Sequence, residues 1–160
     1  MRLYTSYYAI ASSHKKAVSI AAKAPKWYTG KEYTKLAPQY AVLKSYKEDP
    51  DKAAYTKNFN KYLSTFFIEK VLAELGNGSI LLCYEKAGDF CHRHIVAKWI
   101  EKKSGIVVVE LNKELISLVD SYDIYTEYPQ GTEKGKIREY LKNKLETLPP
   151  KIVKGLGFKL

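Results

Sequence analysis

Short apolar runs along the 160-residue chain predict the strands of an α/β protein. Leu3 to Ile10, which is rich in Tyr, Thr and Ile, predicts a first strand, and Ala17 to Ala21 predicts a second short one. Ile80 to Tyr84 and Ile106 to Val109 are continuous apolar runs that are too short for helices. Such runs are expected of strands that are covered on both faces, as in a parallel sheet.

Apolar residues spaced by three and four positions predict helices between these strands. Pro38 to Lys47 predicts one helix, and the pair Asp49-Pro50 both ends it and caps the next. That next helix has the longest periodic apolar face and stops at Gly76. Its apolar positions are Phe59, Tyr62, Leu63, Phe66, Phe67, Val71 and Leu75. Another helix is expected to follow Cys91. Its inward face would hold Ile95, Val96, Trp99 and Ile100.

The end of the chain predicts three further elements. Asn112 to Val119 predicts a short helix, Tyr122 to Tyr128 alternates as an edge strand does, and Ile137 to Leu148 predicts a last amphipathic helix. Pro149-Pro150 ends that helix, and the final ten residues, with three lysines and two glycines, predict a tail.

The order strand, helix, strand from Ile80 to Val109 predicts a right-handed βαβ unit. The fold class that follows is α/β, with three layers, a mostly parallel sheet flanked by helices and an extra C-terminal helix. Residues 1–128 are expected to form this α/β domain. Residues 129–160 are expected to form a basic C-terminal helix and tail that pack on the domain or extend from it.

The formal net charge of +10 is concentrated in two segments. Residues 15–35 hold six lysines against Glu32, and residues 133–160 hold eight basic residues against three acidic ones, so each segment carries +5 and the rest is neutral. This distribution favours a polyanionic partner. No apolar stretch has the character of a secretory signal or the length of a membrane span, so we expect a cytoplasmic protein without membrane contact.

Cys83 and Cys91 are the only cysteines of the chain. Their spacing is neither that of a Cys-x-x-Cys redox pair nor that of a structural zinc module. We therefore expect free thiols in a reducing compartment, where a disulfide between them would be unusual. Cys83, which lies within a strand, is expected to be a small core residue.

Reactive side chains are concentrated where the strand Ile80–Tyr84 leads into the next helix. Ligands of open parallel sheets bind at the carboxyl ends of the strands, and Glu85 stands at this end. With Asp89 as the N-cap, Cys91 and His92 would lie in the first helical turn, whose field stabilises a thiolate and disfavours an imidazolium. Cys91, His92 and Glu85 are therefore candidate catalytic residues, with a thiolate and a neutral imidazole as nucleophile and base.

Arg93 is a candidate anion-binding residue at the same helix terminus. Its guanidinium and the backbone N–H groups could converge on one phosphate or carboxylate. Structural alternatives exist for each of these residues. His92 could be a buried histidine bonded to a carbonyl, Cys91 could be inert packing, and Glu85 could pair with Arg93 merely to fix the loop. The case for function depends on their joint placement.

A metal site is not expected. Cys83, Cys91, Glu85, His92 and His94 are all of ligand type, yet the two histidines lie two positions apart on a helix and point in different directions. His94 is expected to project toward solvent. We therefore predict no metal and no other cofactor.

A second candidate site lies in the long loop from Lys23 to Gln39. Lys26 and Lys31 are interleaved there with Trp27 and Tyr28, which combines charge for phosphates with flat rings for stacking bases. The alternative is a solvated loop whose aromatic rings fold onto the sheet. A small nucleotide would satisfy the same residues as a polymer.

Several motifs of the chain resemble those of one known family. Leu81-Leu82-Cys83-Tyr84-Glu85, followed by Cys91-His92-Arg93 and an amphipathic helix, resembles the signature of the family catalogued as domain of unknown function 488. Tyr4-Thr5-Ser6-Tyr7-Tyr8, Pro25-Lys26-Trp27-Tyr28 and Leu36-Ala37-Pro38 resemble its other landmarks, so the similarity spans roughly the first two thirds of the chain. The resemblance implies a small cytoplasmic α/β domain and supplies no reaction.

Two functions are compatible with these patterns. The first is an enzyme that acts on a nucleotide or nucleic acid through Cys91, His92, Arg93 and Glu85. The second is a non-catalytic nucleic-acid-binding or protein-interaction module, in which a basic, aromatic-rich surface supplies the affinity and the cysteine motif only shapes the fold. The sequence predicts no particular oligomeric state.

Overall fold

A five-stranded parallel sheet forms the centre of the protein in the computed structural model, which describes residues 1–160. The strand order is β3-β2-β4-β1-β5, and every neighbouring pair is parallel. Since parallel strands need helical crossovers that cover the faces of the sheet, the predicted three-layer α/β class is confirmed. The strands are β1 Leu3–Tyr7, β2 Ala17–Ser19, β3 Lys31–Glu32, β4 Ser79–Cys83 and β5 Val109–Glu110.

Eight α-helices and one 3₁₀ turn connect and cover these strands. None of the helices is both long and apolar enough to cross a bilayer. The helices are α1 Tyr8–Ala11, α2 Tyr40–Glu48, α3 Lys52–Leu63, α4 Ile68–Leu75, α5 His92–Ser104, α6 Lys113–Glu127, α7 Thr132–Glu146 and α8 Pro150–Leu156, and the 3₁₀ turn is Thr34–Leu36.

The sheet separates two apolar cores. Because successive side chains of a strand point to opposite faces, Leu81 of β4 packs on one side while Ile80 and Leu82 pack on the other. The Leu81 side is covered by α2 to α5, and the Ile80 side by α1, α6, α7 and α8. All five residues of β4 are buried, as the continuous apolar run predicted.

The long helix predicted up to Gly76 is in fact two helices, α3 and α4. The hydroxyl groups of Ser64 and Thr65 donate to the carbonyl oxygens of Lys61 and Tyr62 and end the first helix. The chain then turns, and Ile68 begins a helix with its own buried face. The periodicity was continuous across the turn because both faces point into the same core.

Several strand predictions differ from the structure. The strand predicted for Ile106–Val109 begins only at Val109 and continues to Glu110, and the strand predicted for Ala17–Ala21 ends at Ser19. The first strand ends at Tyr7, and the following four residues form α1. The edge strand predicted for Tyr122–Tyr128 is wrong, because α6 continues through it to Glu127. Tyr122 follows Leu118 by one helical turn and stacks on Phe158 at 4.2 Å between ring centroids, so burial of a helical face outweighs β-propensity.

The final ten residues do not form a free tail. Leu156 is completely buried, and its carbonyl oxygen accepts a hydrogen bond from the Tyr4 hydroxyl at 3.0 Å. Gly155 lies against β5 so closely that a Cβ atom would overlap the Val109 side chain and sit 3.2 Å from the Val107 carbonyl oxygen. The helix α8 is therefore docked on the sheet through backbone contact.

A buried ion cluster joins α6 to the start of β1 and β2. Asp123 accepts from Arg2 Nη2 at 3.3 Å and from Lys16 Nζ at 2.8 Å, and its side chain is almost fully shielded. Burial alone would raise the pKa of Asp123, but Lys16 and Arg2 together outweigh it and hold the pKa below the usual aspartate value.

We expect Gly155→Ala to lower the free energy of unfolding by about 1–3 kcal/mol, because the methyl group overpacks the contact between α8 and β5. Gly135→Ala in α7 is the matched control. No heavy atom lies within 4 Å of its Cβ position, so the change should stabilise the protein by up to about 1 kcal/mol. Urea denaturation measures both, and equal effects of the two substitutions would contradict the docking of α8.

The Asp123 cluster should make stability depend on acid pH. A carboxyl group with a lowered folded-state pKa contributes stability above its unfolded pKa and loses it as the pH falls through the folded value, which here means below about pH 4. Asp123→Asn should cost about 1–3 kcal/mol at neutral pH and reduce the acid-dependent part of the loss. Denaturant titrations from neutral to acid pH give the free energy of unfolding of both proteins. If it fell equally with pH in the original protein and in Asp123→Asn, the prediction would be refuted.

Candidate functional site

A pocket of about 320 Å³ opens at the carboxyl end of the central strand β4. Its floor is formed where β4 ends and α5 begins, and α2 and α3 form one wall. This is the edge where open α/β sheets bind their ligands. The lining residues from the end of β4 through the turn to the first residue of α5 are Cys83, Tyr84, Glu85, Phe90, Cys91 and His92.

His92 is the centre of the side-chain cluster on the floor. Its Nε2 atom lies 2.7 Å from the carbonyl oxygen of Ile20, which can only accept, so Nε2 carries a proton. In the neutral ring Nδ1 then holds a lone pair, and this atom lies 3.5 Å from Cys83 Sγ and 3.9 Å from Cys91 Sγ. The two thiols and the imidazole nitrogen thus converge on one point, and all three residues are buried.

The two thiols differ in acidity. The hydrogen bond from Cys83 lowers the pKa of Cys91 against the effect of burial, with smaller contributions from His92 and the Arg93 backbone N–H. The same hydrogen bond and burial raise the pKa of Cys83. The direction for Cys91 agrees with the sequence-based expectation, although Cys83 and not the helix field is the largest cause.

Glu85 lies at the mouth of the pocket, where one carboxylate oxygen is 3.3 Å from Cys83 Sγ. Its pKa is raised, first by partial burial and then by the nearby Cys91 sulfur. The carboxylate does not pair with Arg93, the structural alternative considered above. The pocket therefore holds a thiol with a lowered pKa, an imidazole and a carboxyl group with a raised pKa within one cavity.

The helix α5 begins two residues later than predicted. Cys91 is the N-cap, with extended backbone angles, and His92 is the first helical residue. Asp89 instead closes the preceding turn, where its backbone N–H bonds to Lys86. The sulfur of Cys91 consequently lies ahead of the helix and reaches the end of β4.

Arg93 is fully buried, and its guanidinium is already bound within the protein. Nη2 and Nε donate to Glu110 of β5 at 2.8 and 3.2 Å, and Nη1 donates to the backbone oxygen of Glu85 at 2.5 Å. Glu110 also accepts from Thr5 Oγ1 at 2.5 Å. Arg93, the predicted anion-binding residue, thus connects the turn after β4 to β5 and, through Glu110, to β1.

Cys83 and His94 lie in different environments from those predicted. Cys83 is buried, as expected, but its sulfur faces the pocket and completes the cluster with Cys91 and His92. The position of the Cys83 sulfur could have been predicted from the sequence. Residues two apart on a strand share a face, and Glu85, which stands two positions after Cys83, was already a candidate site residue. His94 is only partly exposed, and its Nε2 atom is buried without a partner.

The loop residues Lys26, Trp27, Tyr28 and Lys31 divide into two pairs. Lys26 and Trp27 are exposed, and 63% of Trp27 is open to solvent. Tyr28 donates to the backbone oxygen of Lys31, and Lys31 Nζ donates to the last carbonyl groups of α4. The rings of Trp27 and Tyr28 both pack edge-on against Tyr8.

Tyr8 connects this loop with the pocket. Its ring also contacts Tyr84, with 5.0 Å between centroids, and Tyr84 lines the pocket while its hydroxyl donates to the backbone oxygen of Lys23. The buried ring of Tyr8 therefore links two exposed rings, Tyr84 at the pocket mouth and Trp27 on the loop.

Comparison with known proteins identifies one family. The model of DUF488-N3a, described as the active DUF488-N3 subclade, matches residues 8–104. This range contains every residue of the pocket floor and ends within α5. No curated protein and no solved structure matches the chain.

We expect Arg93→Ala to destabilise the fold by about 3 kcal/mol, because it removes a buried ion pair and leaves Glu110 without its partner. Lys98→Ala, an exposed position on the same helix, should change stability by less than about 0.5 kcal/mol. Thermal and urea unfolding measure both variants. A stable Arg93→Ala protein that had lost only anion binding would instead favour a direct ligand role.

Proposed function

We propose, on the premise that the chain belongs to the DUF488-N3a family, that it is an enzyme acting on a nucleotide or on a nucleotide of a nucleic acid. The observation that carries the proposal is the meeting of Cys91, His92 and Glu85 in one pocket that also has aromatic walls and two lysines. The description of the family as an active subclade supports an enzyme over a binding module.

Aromatic walls favour a planar ligand. Tyr46, Tyr55 and Phe90 form one wall, with centroid separations of 5.3 to 5.7 Å, and Tyr84 lies at the mouth with 53% of its surface exposed. Rings of this kind stack on any base. A cavity of about 320 Å³ lies at the small end of ligand pockets, which suits one base with its sugar or phosphate.

The charge at the pocket mouth favours an anion. Lys23 and Lys47 both line the pocket and are exposed, so their ammonium groups can reach a phosphate of a ligand inside it. In this proposal they hold the anionic group, and Arg93 acts as a positioning residue because it fixes the backbone of Glu85. The net charge of +10 would attract such a ligand over a longer range.

Each residue on the floor has a role that follows from its geometry. Cys91 and His92 form a thiolate–imidazole pair at the deepest point, held by the Ile20 carbonyl group. Glu85, nearer the mouth, exchanges a proton with the substrate or with water. The free thiols of Cys83 and Cys91 suit the reducing conditions of the cytoplasm, where we propose that the protein works.

A second candidate function, binding of single-stranded nucleic acid without catalysis, is favoured by the exposed Trp27 and Lys26. Tyr84 and Trp27 are both exposed and both pack against the buried Tyr8, so each could stack on a base while Tyr8 fixes the two rings relative to each other. The two functions are compatible if the substrate is a polymer, with one base in the pocket and the next on the loop.

Nucleotide binding can be tested with a panel of nucleoside mono-, di- and triphosphates and short single-stranded DNA and RNA. We expect Lys47→Ala to weaken binding by about 5- to 10-fold, through loss of one phosphate contact. Lys44→Ala, on the same helix but outside the pocket, is the control and should bind as the original protein does. Calorimetric titration gives the affinities, and no binding by any member of the panel would overturn the proposal.

Three further variants distinguish catalysis in the pocket from binding of nucleic acid to the loop around Trp27. Cys91→Ser and Glu85→Gln should lower turnover of the bound nucleotide by about 10²-fold or more while affinity is retained. Trp27→Ala should weaken binding of oligonucleotides and leave mononucleotide binding unchanged. Full turnover by both site variants would overturn the catalytic roles of Cys91 and Glu85. Nucleotide binding by the original protein without any turnover would favour the non-catalytic function.

A further inference from the structure

Three donor atoms at the floor of the pocket have the spacing of a metal site. Cys83 Sγ, Cys91 Sγ and His92 Nδ1 all lie within 4.8 Å of one another. A tetrahedral zinc ion with Zn–S bonds of about 2.3 Å and a Zn–N bond of about 2.0–2.1 Å needs sulfur-to-nitrogen separations of about 3.6 Å. The observed separations are 3.5 Å for Cys83 and 3.9 Å for Cys91.

The orientation of the His92 ring is a second, independent observation. The bond from Nε2 to the Ile20 carbonyl group leaves Nδ1 with its lone pair directed at both sulfurs. Metal-binding histidines usually donate their other ring N–H to a carbonyl group or carboxylate in this way. Phe59 packs edge-on against the ring, at 5.7 Å between centroids, so the imidazole is held without a metal.

The charge balance and the open side also fit zinc. Two thiolates and one neutral imidazole neutralise a divalent cation, which suits a buried site. The protein supplies three ligands, and the fourth position faces the pocket, as in catalytic zinc sites with two cysteines and one histidine. Glu85, with an oxygen 3.3 Å from Cys83 Sγ, stands beside that position.

We propose that Cys83, Cys91 and His92 bind one zinc ion whose fourth position is open to the pocket. The sequence-based expectation of no metal included Cys83 and Cys91 among the ligand types but was decided by the diverging directions of His92 and His94, whereas this donor set does not need His94. The inference shares its pocket with the proposed function and makes it more specific. With zinc bound, Cys91 and His92 would serve as ligands instead of as a free nucleophile and base, and the ion would supply the activation of a water molecule on the pocket side, where Glu85 also lies.

Metal binding can be measured without knowledge of the substrate. The full-length chain, expressed without a histidine tag, should contain one zinc ion per chain when its metal content is measured by elemental mass spectrometry. Cobalt(II) added to the metal-free protein should give the charge-transfer absorption of cobalt–thiolate bonds and the intense visible bands of tetrahedral cobalt. Cys83→Ser and His92→Ala each remove a proposed ligand. Each should therefore weaken zinc binding by more than the roughly 10- to 100-fold that is typical when only a hydrogen-bond partner of a ligand is lost.

Glu85→Gln is the matched control, because the residue lies beside the open position and is not a ligand in this proposal. It should keep one zinc ion per chain, and loss of zinc in this variant would overturn the open fourth position. Should a ligand variant fail to fold, the original protein still tests the site. A chelator should then increase the reactivity of both thiols toward a disulfide reagent, in a manner reversed by added zinc.

The outcomes separate this inference from the proposed function. A chain that is purified without zinc and gives no cobalt–thiolate absorption overturns the metal site, whatever its affinity for nucleotides. A chain that binds zinc but no nucleotide retains the metal site and overturns the proposed function.

Discussion

The parallel pairing of β4 with both β1 and β2 is the constraint on which the rest of the structure depends. Residues 79–83 pair with β1 over their whole length, and the same strand pairs with β2 on its other edge. The ladder continues one residue beyond β2, where the Ile20 N–H donates to Leu82. The Ile20 carbonyl group then accepts from His92, so the position of the imidazole follows from the register of the sheet.

A buried guanidinium extends this constraint to the edge of the sheet. Arg93, adjacent to His92, is bonded to Glu110 on β5 and to the backbone of Glu85, and Glu110 is bonded to Thr5 on β1. The first turn of α5 is thereby fixed to three strands. A site whose side chains are oriented by neighbouring bonds before any ligand arrives loses less conformational entropy on binding.

The pocket combines two kinds of surface that rarely meet in a structural core. Its floor concentrates soft donors and a proton-exchanging carboxyl group, and its walls and mouth provide aromatic rings and ammonium groups. A planar anion stacked on the walls would have its reacting atom above the floor. The proposed function therefore assigns reaction and recognition to different residues.

The sequence by itself determined the fold class, the family and the location of the candidate site. The apolar run of β4 and the polar residues after it are local patterns, and local patterns are what a sequence displays directly. It also predicted where Glu85 and the start of α5 would meet, because both belong to a single strand-to-helix turn.

Only the tertiary structure decided the partners of these residues. The pairing of Arg93 with Glu110 and of His92 with Ile20 joins positions 17 and 72 residues apart, which no local pattern encodes. The same holds for the helix over Tyr122–Glu127, where an alternating segment became helical because the Tyr122 side chain is buried against Phe158. Cys83 changed from a core residue to a member of the site for the same physical reason. Its sulfur belongs to the cluster only because the sheet register and the turn bring Cys91 and His92 close to it.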